Sequence, residues 1–147
     1  MLSLDFPFLL ALLFEGEDSE DAWRILRRQP APSQINRFHL LLLENSGARA
    51  IARARTSAQI AAATDGLRLW RQYLDEMVFT IAPTDYDAGL RAACALQRQH
   101  PVDPPHHLTF LWPALAVAGG ATTFVSLTPA TRKLAKSAGL KLLPEIL

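Results

Sequence analysis

Gly119-Gly120-Ala121-Thr122-Thr123-Phe124-Val125-Ser126-Leu127-Thr128-Pro129 brings the end of one helix, a strand and the start of another helix into one short stretch. The paired glycines end an apolar run. Thr122 to Ser126 carries β-branched and aromatic residues and reads as a strand. Thr128 stands directly before Pro129, so a cap residue precedes a residue that a first helical turn tolerates. Gly139 ends that helix, and Leu140 to Leu143 reads as the last strand.

The same alternation runs back through the chain. Ser3 to Asp5 reads as a first strand. Pro7 then opens a helix in which Phe8, Leu9, Leu12 and Leu13 recur at helical spacing, and Gly16 ends it. Asp18 or Ser19 caps the next helix, with Glu20 and Asp21 early and Arg24, Arg27 and Arg28 late. Gln34 to Asn36 is a short buried strand. Phe38, Leu41 and Leu42 open another helix, and Thr56 with Gln59 has capping-box spacing for the one after it. There Ile60, Leu67, Trp70, Leu74 and Met77 form a stripe. Val78 to Ala82 reads as a strand, Thr84 and Asp87 as a helix start, and His106 to Ala118 as a buried helix. Strands alternating with helices predict an α/β domain with a mainly parallel central sheet of 4–5 strands, spanning residues 1–147.

Composition narrows the function classes. Half of the 147 residues are hydrophobic and 20% are charged, which excludes a disordered chain. The 15 basic and 14 acidic residues leave a net charge of +1, so no strong overall attraction to nucleic acid or anionic lipid is expected. The single Cys94 excludes an internal disulfide framework and a cysteine zinc finger; among alanines it reads as an inert core residue. The apolar stretch from Phe6 to Phe14 is short of the roughly 20 residues of a membrane span. No Lys or Arg precedes it and acidic residues follow it, unlike a signal peptide, so a cytoplasmic location and no membrane contact are expected. Gly-rich phosphate loops, nucleophile-elbow serines and paired metal-binding helix motifs do not occur.

Three segments carry a family resemblance. Met1-Leu2-Ser3-Leu4-Asp5-Phe6-Pro7-Phe8-Leu9-Leu10-Ala11-Leu12 resembles a first strand ending in an aspartate before an apolar helix. Phe38-His39-Leu40-Leu41-Leu42-Leu43-Glu44-Asn45 resembles the start of a third helix. His106 to Pro144 resembles a final helix–strand–helix–strand unit. In order and spacing they resemble the PIN domain, the fold of small metal-dependent ribonucleases that include VapC-type toxins of bacterial toxin–antitoxin pairs. The resemblance implies a three-layer α/β/α sandwich. It also implies a carboxylate cluster holding Mg²⁺ or Mn²⁺, which activates water and stabilises charge on the phosphate.

Carried over by position, that cluster is incomplete. Its first aspartate matches Asp5, but its other three positions fall on Leu42, Thr109 and Thr128. Glu44 lies two residues beyond Leu42, about 200° around a helix, and so on nearly the opposite face. After Ala88 the only acidic residues are Asp103, in a proline-rich loop, and Glu145, beyond the last strand. The expectation is a vestigial site of Asp5, Thr109 and Thr128. Asp5 reads as a residual metal ligand, as a helix N-cap, or as a hydrogen-bond acceptor at a strand end. Thr128 reads as a cap, and Thr109 as a hydroxyl bonded one turn back. Together the three also suit a small polar pocket.

Two further groups stand out. Arg49, Arg53 and Arg55 form a basic patch, with Arg49 and Arg53 one helical turn apart; it reads as an RNA-phosphate contact or as a solvated helix surface. His100, Asp103, His106 and His107 are the densest candidate metal ligands, although their spacing fits no closed site. Trp70 and Trp112 fit core stripes.

The expected function is a degenerate PIN-like domain without metal-dependent nuclease activity and without a cofactor, acting as a binding or regulatory module for RNA or a protein partner. The alternative is an active Mg- or Mn-dependent ribonuclease toxin using Asp5 and displaced carboxylates. A scaffold or antitoxin-like role predicts a large exposed apolar patch. The resemblance also implies a homodimer, and an antitoxin as a candidate partner.

Overall fold

Five strands of three residues each lie side by side, every neighbouring pair parallel, in the order β3-β2-β1-β4-β5. The computed structural model describes residues 1–14, 16–29, 32–100 and 108–145. Along these run β1 (Leu2–Leu4), α1 (Phe6–Leu13), α2 (Ser19–Leu26), β2 (Ser33–Ile35), α3 (Arg37–Arg53) and α4 (Ser57–Asp75). They are followed by β3 (Phe79–Ile81), α5 (Tyr86–Gln99), α6 (Leu111–Ala118), β4 (Thr123–Val125), α7 (Pro129–Ser137) and β5 (Lys141–Leu143). The expected α/β/α sandwich is what the chain forms, and its sheet is parallel throughout.

Helices cover both faces of the sheet, so its strands carry apolar side chains on either side. Leu4, Ile35, Phe79 and Val125 meet Phe8, Leu9, Leu12 and Leu13 of α1, with Ala22 of α2 and Trp70 of α4. On the opposite face Phe124, the neighbour of Val125, meets Trp112 and Ala116 of α6 and Ala135 of α7. Adjacent strand residues point to opposite faces, so Phe124-Val125 anchors both layers at once. Each such side chain, fully buried, contributes roughly 1.5–3 kcal/mol.

Local signals set the boundaries. Asn36 caps α3 by accepting from the amides of Phe38 and His39, while its own amide donates to the His39 ring. Thr56 caps α4 by accepting from the Gln59 amide. Gly139 has φ +85°, which a residue with a Cβ rarely adopts, and closes α7 before β5. The close approach of α1 to α4 needs Gly66: a Cβ there meets the Leu13 carbonyl oxygen at 2.5 Å.

Several expectations shift. The cap of α5 is Asp85, accepting from the Ala88 amide, rather than Thr84, whose hydroxyl donates to the Ala82 carbonyl. Residues 108–110 form a turn, so the buried helix begins at Leu111. The α4 stripe is buried at its centre only: Trp70 is 4% exposed, Ile60 44% and Met77 64%. Cys94 lies on the surface of α5 and not in the core. Besides Met1 and Met77, which lie outside the elements, the exposed large apolar residues among those described are Leu41 on α3, Ile60 on α4, Ile81 on β3, Leu90 on α5 and Val117 on α6. Among the described residues no helix is long and apolar enough to cross a membrane.

Candidate functional site

The strand order reverses direction between β1 and β4. From β1 the chain adds β2 and β3 on one side, then returns to lay β4 and β5 on the other. In open parallel sheets the crevice beyond the carboxyl ends at such a point is where ligands bind. Asp5 follows β1 and Ser126 follows β4 at this position, and the Asp5 amide bonds the Val125 carbonyl at 2.9 Å.

Asp5 is wholly buried. Its carboxylate does not cap α1; Oδ2 accepts from the Ser126 hydroxyl at 2.6 Å, and Oδ1 has no partner among the described residues. Ser126 Oγ in turn accepts from the Thr128 amide at 3.1 Å. Burial raises the Asp5 carboxyl from 3.8 to about 7, against the opposing pull of the Ser126 hydroxyl and the Phe6 amide. Asp5 thus accepts a hydrogen bond at the end of β1, from the residue that follows β4.

Above this buried pair a cavity of about 530 Å³ opens between α1, α3, α6 and α7. Thr109 and Thr128 both line it, as does Leu42. The positions that the resemblance singles out therefore converge in space, except that Asp5 is not part of the cavity wall. Thr128 is the N-cap residue of α7, directly before Pro129, although its side chain makes no cap bond; the bond expected of Thr109 one turn back falls on residues outside the described ones.

The rest of the wall mixes two chemistries. Phe6, Leu10 and Trp112 give it an apolar side, and Asn45, Ser46, Arg49 and Thr131 a polar one. Phe6 stacks on Trp112 with ring centroids 5.2 Å apart, and Trp112 lies 4.6 Å from the His39 ring. His39 is 1% exposed; its Nε2–H donates to the Leu4 carbonyl at 3.0 Å, which places the proton on that nitrogen. Burial lowers its pKa to about 3, against the opposing effect of the Leu4 carbonyl, so the ring is neutral and ties α3 to the end of β1.

Arg49 and Arg53 both flank a second depression on α3, which shares Ser46 and Arg49 with the cavity and Ala50 and Arg53 with a third hollow between α3 and α4. A trough thus follows α3 away from the sheet, with two guanidinium groups one turn apart along it. Neither has a carboxylate partner among the described residues. Arg55 lies past the end of α3 and lines none of these hollows; its amide bonds the Gln59 side chain at 2.8 Å. Glu44 points away, as its position on α3 requires, bonding Arg71 at 2.8 and 2.9 Å and the Trp70 indole at 3.2 Å. His100 ends α5, while Asp103, His106 and His107 lie outside the described residues.

The donor set does not fit Mg²⁺ or Mn²⁺. These ions take oxygen ligands that include one or two carboxylates. The cavity wall offers hydroxyls, an amide, a guanidinium and a leucine where carboxylates are needed, and Asp5 is committed beneath it to Ser126. Among the described residues no group of three or more His, Cys, Asp or Glu side chains gathers.

Ser126, His39 and Thr131 are central here and were not legible as site residues. Ser126 ends a strand two positions before Thr128, the only hint in the sequence that it faces the same crevice. Compared with known families and with curated proteins, the chain matches no family model and no relative.

Proposed function

We propose that this chain is a PIN-like domain without metal-dependent nuclease chemistry, a module that binds an RNA strand rather than cutting it. One observation carries the reading. The single acid kept at the switch point is sealed below the cavity and bonded to Ser126, while the cavity above it is lined by threonines and a leucine. Such a wall has no means of generating hydroxide on a metal or of clamping a scissile phosphate between metals.

RNA is favoured as the ligand by the trough along α3. Its two guanidinium groups suit successive phosphates, and α3 adds no acidic side chain to that face. With a net charge of +1 the attraction is local rather than global, so affinity resides in this stripe. Pairing with a second copy, or with an antitoxin-like protein, belongs to the same reading, and light scattering at micromolar concentration tests the first.

Fluorescence anisotropy with a labelled single-stranded RNA 12-mer, run beside a Mn²⁺ cleavage assay on the same RNA, tests the proposal. Expected are binding that weakens steeply with salt, about ten-fold weaker binding in Arg49→Gln/Arg53→Gln, and an intact RNA. Cleavage lost in Asp5→Ala establishes the alternative, an active ribonuclease toxin. Absence of binding removes RNA as the ligand.

A further inference from the structure

We infer that the hollow between α3 and α4 receives one unpaired base of the RNA strand, and that Gln59 makes it prefer a base bearing a keto oxygen to one bearing an amino group, uracil over cytosine. The inference rests on the RNA reading and deepens it. Arg49 and Arg53 hold phosphates, and the hollow beside them selects among the attached bases.

The hollow is placed for that task. Arg53 lies in its wall and also in the wall of the neighbouring depression that contains Arg49, and Ala50 is shared in the same way. A strand whose phosphates follow the two guanidinium groups therefore passes the mouth of the hollow. Single-strand binders commonly join a basic track for the backbone to aromatic contacts for the bases. Here Phe14 lines the hollow together with Ala62 and Ala63. Its ring packs directly against α4, where a Cβ on Gly66 would lie 2.7 Å from it, so the aromatic wall is held in place. The volume is about 410 Å³, within the usual range of small-molecule pockets.

Selectivity comes from Gln59, which lines the same hollow. A glutamine usually reads adenine with both ends of its carboxamide, the oxygen accepting and the nitrogen donating. In this chain the oxygen is already engaged. The Arg55 amide donates to Gln59 Oε1 at 2.8 Å. A backbone N–H can only donate, so the atom facing it is the carbonyl oxygen and the nitrogen is turned the other way. The Gln59 amide is itself fixed, donating to the Thr56 hydroxyl at 3.2 Å. What Gln59 offers a guest is therefore N–H.

The other polar side chain of the wall, Arg53, also only donates, and no acidic residue lines the hollow. Such a wall pairs with a keto oxygen and leaves an exocyclic amino group without an acceptor. Uracil and cytosine are nearly the same size and differ at this group, O4 in one and an amino group in the other. They are the pair that tests the wall rather than the volume.

Fluorescence anisotropy on the full chain with labelled oligouridine and oligocytidine 12-mers, at low salt, tests the inference. Oligouridine is expected to bind about three- to ten-fold more tightly. Gln59→Glu keeps an oxygen for the Arg55 amide and turns a second acceptor toward the guest. It is expected to reverse the preference, whatever its added charge does to overall affinity. Ala62 is exposed, and Ala62→Leu is expected to fill the hollow and erase the preference while both strands still bind. Arg49→Gln lies outside the hollow and is expected to weaken both strands alike, keeping their ratio. Far-ultraviolet circular dichroism confirms the fold of each variant. Equal binding of the two strands, tighter binding of oligocytidine by the parent, or a preference unchanged in Gln59→Glu or Ala62→Leu overturns this inference and leaves the RNA reading standing. Binding of neither strand overturns both.

Discussion

Ser126 donates its hydroxyl to the Asp5 carboxylate across 2.6 Å, joining the ends of two adjacent strands whose residues lie 121 positions apart. The bond holds a carboxyl that burial has raised to about 7. Between pH 4 and 7 the folded state keeps a proton on Asp5 that the unfolded state releases. Stability from this group therefore falls as pH rises through that window, by about 1.4 kcal/mol per pH unit. Asp5→Asn removes the slope but leaves an amide imperfectly paired. Its unfolding curve is expected to cross that of the parent, with the variant less stable at pH 4 and more stable, by about 1–3 kcal/mol, at pH 8. Urea unfolding at both pH values reads the crossing.

His39 contributes a slope of the opposite sign. Its pKa falls from 6.5 to about 3 on folding, so between those values the unfolded state binds the extra proton and stability rises with pH. From about pH 4 to 6.5 the slopes of His39 and Asp5 oppose one another. In Asp5→Asn the rise due to His39 is expected to emerge, at about 1.4 kcal/mol per pH unit, and to vanish in the double variant with His39→Gln. A stability profile of the single variant that stays flat from pH 4 to 6.5 would contradict the buried, neutral state of His39.

Gly66 lets α4 pack directly against the backbone at the end of α1. An added Cβ meets the Leu13 carbonyl at 2.5 Å and the Phe14 ring at 2.7 Å. A backbone oxygen cannot swing aside, so Gly66→Ala is expected to destabilise the fold by about 1–3 kcal/mol despite alanine's better helix propensity. Gly16→Ala, with nothing within 4 Å of the new methyl, serves as the control in thermal melts.

Arg132, 8% exposed, bonds the carbonyls of Ser126 and Pro144. It laces the carboxyl ends of β4 and β5 together without an acidic partner among the described residues. Arg132→Met keeps much of the stem but orphans both carbonyls, and is expected to cost about 2–3 kcal/mol. Hydrogen exchange is expected to quicken first at the Ser126 amide, which bonds the Leu143 carbonyl at the same seam.

The architecture was legible because its punctuation is local. Gly139, Asn36, Thr56 and the Thr128-Pro129 pair act within one turn of their own positions, and strand–helix alternation does the rest. The convergence of Leu42, Thr109 and Thr128 was legible only through a resemblance in order and spacing. Side-chain partnership was not. Thr128-Pro129 has every mark of a cap, yet the Ser126 hydroxyl takes the Thr128 amide and the threonine hydroxyl is left facing the cavity. Cys94 among alanines reads as core, but its side of α5 faces solvent rather than α6. A short alanine-rich window carries too weak a periodicity to assign that face. Ile60 and Met77 show the complementary error: Ile60 lies in the exposed first turn of α4, and the helix ends at Asp75, so Met77 falls in the turn beyond it with φ +56°.

The pairing of β1 has a consequence for the order of events during synthesis. β1 touches β2 through a single register pair, Ser3 with Gln34, but is matched along its whole length by β4, Leu2 through Leu4 with Thr123 through Val125. The middle of the sheet therefore waits for a segment made about 120 residues later, roughly 6–24 s at ordinary ribosomal speed. Until then α1, among the most apolar segments of the chain, has only part of its cover. Pairing of β4 with β1 is therefore a long-range, late step, and Val125 is the last buried member of the α1 core to arrive.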